Sequence, residues 1–148
     1  MNTNPLLSTW ESYQTSQACF QAVTGINENK IERSKSDIED LFVLLLWIKF
    51  EQFIRYYLQE KSKNKLYDTS APINLTSFIF ASFEKDEKFW NPIELLELLE
   101  RTLSISEDLI DEAQQISVFA YNILKKQESK ITVNYAYETL TKIVKLMI

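Results

Sequence analysis

Apolar residues recur along this chain in steps of three and four, the spacing that places them on one side of an α-helix. The first stripe is Leu6, Trp10, Tyr13 and Phe20, with Gln17 in the same register. Pro5 suits a first helical position and Gly25 suits a C-terminal stop, so the stripe predicts a helix from about Pro5 to Thr24. Residues 25–35 are polar and read as a connection. Ser36 followed by Glu39 has the form of a capping box and predicts the start of a second helix, running to about Lys61.

That second helix has an unusual pattern. Between Leu41 and Leu58 apolar residues occupy nearly its whole girth: Phe42, Leu44, Leu45, Leu46, Trp47, Ile48, Phe50, Phe53, Ile54, Tyr56 and Tyr57. A helix apolar on all sides has to be covered on all sides. It is expected to be the central helix of a bundle, or to face both the core and a partner subunit. Trp47 and Phe50 are expected in the core.

Residues 62–76, broken by Pro72, read as a loop, and Ser77 to Glu84 as a short helix. Asn91-Pro92-Ile93-Glu94 combines an Asn cap, Pro at the first position and Glu at the third, which starts a helix ending near Leu103. Ser104 and Glu107 form a further capping box. The helix after it carries Leu109, Ala113, Ile116, Ala120 and Ile123 to about Gln127. A last helix begins near Thr132 and carries Val133, Tyr137, Leu140, Val144 and Met147. The expected fold is all-α: one domain over residues 1–148, a five- to six-helix antiparallel bundle with a long apolar central helix.

Composition narrows the chemistry. Gly25 is the single glycine among 148 residues, which argues against hairpin-rich β-folds and against glycine-rich phosphate-binding loops. Histidine is absent, which removes most zinc sites and the commonest general acid–base group. Cys19 is the single cysteine, so no intrachain disulfide forms and a cytoplasmic location is expected. Beside Phe20 on an apolar-periodic helix, Cys19 reads as a buried structural thiol. The net charge of −5 does not favour non-specific binding of nucleic acid, though RNA is not thereby excluded as a partner. The longest purely apolar run, Leu41 to Ile48, is too short to span a bilayer, and no secretory leader is visible. No cofactor is expected.

Few residues are placed for chemistry. Glu94, Glu97 and Glu100, and Asp108, Asp111 and Glu112, fall at helical spacing and read as solvated faces. A carboxylate magnesium site is the alternative reading, and no metal site is assigned. Lys61, Lys63 and Lys65, and Lys125, Lys126 and Lys130, read as solvated helix ends or loops. Glu51 and Arg55 stand out. They lie at i and i+4 on the apolar second helix, so they can pair, either on an exposed strip with Lys49 and Gln52 or within a groove.

The segment from Leu41 to Arg55, Leu-Phe-Val-Leu-Leu-Leu-Trp-Ile-Lys-Phe-Glu-Gln-Phe-Ile-Arg, resembles the second helix of HEPN domains (higher eukaryotes and prokaryotes nucleotide-binding). Leu109 to Ile123 is similar to the helix that carries that family's Arg-Asn-x-x-x-His motif. The resemblance covers roughly residues 34–60 and 105–148. It places Ser117 at the family's Arg, Val118 at the position often held by Asn, and Asn122 at the His. Active members use that Arg and His across a dimer groove to cleave RNA by metal-independent attack of the 2′-hydroxyl. Ser117 holds no charge and Asn122 exchanges no proton near neutral pH, so the resemblance implies a scaffold without nuclease activity. Ser117→Arg with Asn122→His is then the change expected to create weak cleavage.

The leading expectation is a non-catalytic HEPN-like helical scaffold of a prokaryotic toxin–antitoxin, defence or RNA-processing system. It acts by self-association, as a two-fold dimer through the second helix or the Ile105–Gln127 helix, and by binding a partner protein. The alternative is a HEPN-like ribonuclease with a displaced motif, its groove holding Glu51, Arg55 and Asn122. A further alternative is an unrelated small helical subunit of a larger assembly such as a CRISPR effector.

Overall fold

The structure, a computed structural model, describes residues 3–66, 91–125 and 130–148. Five helices account for most of them: α1 (Leu7–Ala22), α2 (Glu28–Leu66), α3 (Pro92–Leu103), α4 (Glu107–Tyr121) and α5 (Val133–Val144). No strand occurs among the described residues, so the chain is all-α as its periodicity requires. The expected short helix at Ser77 to Glu84 lies outside the described residues.

The second helix begins a full two turns earlier than its apparent cap. Asn27 starts it: its side-chain oxygen accepts from the Asn29 amide at 2.8 Å, and its carbonyl accepts from Ile31 at 3.1 Å. Nothing between Glu28 and Ser36 breaks a helix, since the stretch has no glycine or proline. Ser36 and Glu39 are therefore interior positions, and their side chains serve α5 instead. The Ser36 hydroxyl accepts from Lys130 at 2.5 Å, and Glu39 accepts from the Val133 amide at the start of α5 at 3.4 Å. A carboxylate at a helix N-terminus also meets the positive end of the backbone dipole. At 39 residues, α2 is about 58 Å long at 1.5 Å per residue.

The shorter helices follow their local signals more closely. Asn91 caps α3 as expected, and with Glu94 it forms a reciprocal capping box. Thr132 caps α5 by accepting from the Tyr135 amide at 3.2 Å. The cap of α4 is Ser106, which accepts from Leu109, and not Ser104. Ser104 instead ends α3 in the left-handed region at φ 53°, a conformation helices commonly use to stop. α4 ends at Tyr121, six residues before the expected end near Gln127.

α2 packs against each of the other four helices; α4 also packs on α3 and α5, and α1 on α5. The shared core takes Val43, Leu46, Trp47, Phe50, Ile54 and Leu58 from α2. Against them lie Leu95, Leu96 and Leu99 of α3, Ile110, Ala113 and Ile116 of α4, and Ala136, Leu140 and Ile143 of α5. Trp47 is 1% exposed and Phe50 fully buried, which places the α2 register as its pattern suggested. An aromatic seam joins α1 to the body. Trp10 stacks on Tyr137 with ring centres 4.7 Å apart, and Tyr13 meets Phe42 edge-on at 5.5 Å. Contacts of this kind contribute about 0.5–1.5 kcal/mol beyond simple burial.

Two expectations change. Cys19 is exposed, because it lies on the side of α1 opposite the Leu6–Phe20 stripe. The apolar girth of α2 is covered on one face only: Leu41, Leu45 and Tyr56 are 51%, 44% and 62% exposed. The buried α2 residues step by three and four, the signature of a single packed face.

Candidate functional site

Where α2 passes the C-terminal end of α4, four side chains meet. Glu51 lies on α2 one turn before Arg55, and the Arg55 guanidinium donates to Glu51 Oε1 at 2.7 Å. The other carboxylate oxygen, Oε2, accepts from the Tyr121 hydroxyl at 2.5 Å. The pair is largely withdrawn from solvent, with side-chain exposures of 13% for Glu51 and 23% for Arg55. The alternative placement, a solvated strip shared with Lys49 and Gln52, therefore fits Lys49 and Gln52, which are exposed, but not the pair itself.

One α2 turn earlier sits Trp47. Its indole N–H is buried and completes no hydrogen bond among the described residues. It faces the Tyr121 hydroxyl closely enough to favour the phenolate, but without full hydrogen-bond geometry. Tyr121 as a residue is 55% exposed, and its hydroxyl is the group that bonds into the cluster. Desolvation raises the Tyr121 pKa above the usual tyrosine value, and the hydrogen bond to Glu51 and that carboxylate's charge raise it further. Trp47 and Arg55 act in the opposite direction without reversing it. Tyr121 is thus a neutral hydrogen-bond donor at neutral pH, unsuited to act as a base.

The arrangement ties two helices together through one carboxylate that accepts from both sides. A carboxylate held this way is an acceptor with its oxygens already engaged, which suits it to fixing geometry better than to moving protons.

The two positions singled out by the HEPN resemblance differ in their settings. Ser117 is 5% exposed, on the face of α4 that packs into the core with Ala113, Ile116 and Ala120. Asn122 terminates α4, with its side-chain amide donating to the Val118 carbonyl at 2.7 Å. It follows Tyr121 in sequence, while Ser117 lies one turn before Tyr121 on the same side of α4. Tyr121 was not singled out by sequence, and Trp47 was expected only as a core residue. Tyr121 continues the Ile110, Ala113 and Ser117 steps to the end of α4, but its bond to a residue 70 positions away leaves no trace in local pattern.

The basic stretches divide. Lys130 is anchored to α2, donating to Ser36 and lying 3.5 Å from Asp40. Lys61 lies over the Tyr57 ring at 5.6 Å. Lys63, Lys65 and Lys126 lie outside the described side chains. Asp108 and Asp111 are exposed, as a solvated face predicts, and Glu112 is half-buried. Among the described residues no three Cys, Asp or Glu side chains gather in a way that could hold a metal ion. None of the described helices is long and apolar enough to cross a membrane. The chain matches no protein-family model, no curated protein and no solved structure.

Proposed function

We propose that this protein is a non-catalytic helical scaffold that acts by self-association and by binding a partner protein. In this reading it is a HEPN-like antiparallel bundle built around α2, working in the cytoplasm of a prokaryote in a toxin–antitoxin, defence or RNA-processing system. The observation that carries the proposal is the apolar surplus on two adjoining helices. Leu41, Leu45 and Tyr56 of α2 remain exposed, as do Val118 and Tyr121 of α4 and Leu124 just beyond it. The Tyr121–Glu51 bond brings the end of α4, which carries Val118 and Tyr121, to the middle of α2, the helix that carries Leu41, Leu45 and Tyr56. Clustered exposed apolar residues on a small domain mark interaction sites. A two-fold axis would place this patch against its own copy.

The chemistry around the junction supports the non-catalytic part. Proton transfer near neutral pH needs a group that holds and releases a proton there, and the chain has no histidine. Glu51 is engaged by Arg55 and Tyr121, and the Tyr121 pKa lies above the usual range. Light scattering at tens of micromolar, an order-of-magnitude concentration well above ordinary specific affinities, should give the mass of a dimer. A monomer would count against self-association. Purified protein should not cleave RNA, with or without Mg²⁺.

One observation favours the ribonuclease alternative. Glu51 and Arg55 pair in a partly enclosed setting at the end of α4, one residue before Asn122 in sequence, which a displaced active site would use. Reproducible RNA cleavage that Glu51→Gln abolishes would replace the scaffold reading with that one.

A further inference from the structure

We draw no further inference here: the strongest candidate outside the α2–α4 junction, the open groove between α4 and the start of α5 lined by Asp111, Gln114, Gln115, Val118, Lys130 and Tyr135, carries no buried polar side chain aimed into it among the described residues, and nothing in the structure shows what would fill it.

Discussion

α5 and the middle of α2 are both strongly apolar, yet they spend their apolar residues differently. In α5, Val133, Ala136, Leu140, Ile143 and Val144 are all buried, with Tyr137 half-buried against Trp10. Apolar supply nearly matches the available core, with Tyr135 at 39% the one large apolar residue of α5 left exposed on an otherwise polar opposite face. In α2 the core takes Val43, Leu46, Trp47, Phe50, Ile54 and Leu58 and leaves Leu41, Leu45 and Tyr56 outside. Water-exposed apolar surface contributes nothing to folding, since stabilisation comes only from area removed from water. The helix that contacts every other helix thus also carries apolar residues that the single chain does not cover. In the proposed scaffold α5 is a structural element, whereas α2 is structure and interface together.

The sharpest test of the buried half is Phe50→Ala. The side chain is fully buried and lies 5.4 Å from the Trp47 ring, so truncation leaves a cavity in the shared core. Chemical denaturation should show a loss of about 3–5 kcal/mol. Leu140→Ala in α5 should cost a similar amount, about 2–5 kcal/mol. A Phe50→Ala variant as stable as the parent would show that the α2 register is wrong and would dissolve the contrast.

Ser117→Arg comes next and bears directly on the HEPN resemblance. The resemblance implies that an arginine here reaches an active groove. Ser117 is 5% exposed and shares its face of α4 with Ala113, Ile116 and Ala120. An unpaired guanidinium there costs several kcal/mol. The expected result is a destabilised protein by denaturant melt, and the double variant with Asn122→His should not gain RNA cleavage. A stable double variant that cuts RNA would restore the groove reading and contradict the buried placement of Ser117.

Alkaline pH separates the junction from α5 more gently. The Tyr13, Tyr57 and Tyr121 pKa values are all raised, each chiefly by burial, with Glu39 adding to the first and Glu51 to the last. A raised folded-state pKa means that the unfolded chain releases the proton first. The stabilisation is therefore fully present below the unfolded value of about 10 and is lost as pH rises through the higher folded value. Melts should hold nearly constant between about pH 6 and 8, where a chain without histidine has few groups of ordinary pKa to titrate, and should fall above about pH 10. Tyr121→Phe should reduce that alkaline loss while costing about 1 kcal/mol near neutrality, the usual worth of one hydrogen bond. An unchanged alkaline limb would show that the hydroxyl is not held by Glu51 in solution.

Most signals that act within a few residues were legible, with Ser104 and Asn27 as exceptions, and those that act between helices were not. Asn91–Glu94 and Thr132 cap the helices they announce, because a cap is completed by its own neighbours. Ser36 and Glu39 have the same residue types at the same spacing, but they bind Lys130 and Val133, more than 90 positions away. A capping box and a tertiary contact are chemically alike until the partner is known. Cys19 was misjudged because periodicity was credited to its helix and not to its own angular position. Glu51 with Arg55 was legible as a pair at i and i+4. Tyr121, which completes the site, required knowing that α4 ends beside α2.

The smallest effect on stability should fall on the exposed half of the comparison, and it decides the proposed function. Leu45→Glu, alone or with Leu41→Glu, changes residues that are 44% and 51% exposed. In the isolated chain neither loses a packed neighbourhood comparable to that of Phe50, so the stability of a monomer should change by no more than about 0.5 kcal/mol. A carboxylate within an apolar contact is different, because burying it without a partner carries a desolvation cost of several kcal/mol. Each copy of a two-fold contact contributes the substitution, so the cost enters twice. Self-association should therefore be abolished while the helical spectrum and the denaturant midpoint, extrapolated to low protein concentration, stay near those of the parent. A charge change that left the dimer intact would move the contact off α2, toward Val118 and Leu124 at the end of α4, where Val118→Glu is the corresponding substitution. If neither substitution disturbed the assembly, the apolar surplus of α2 and α4 would be surface without function, and the contrast with α5 would carry no functional meaning.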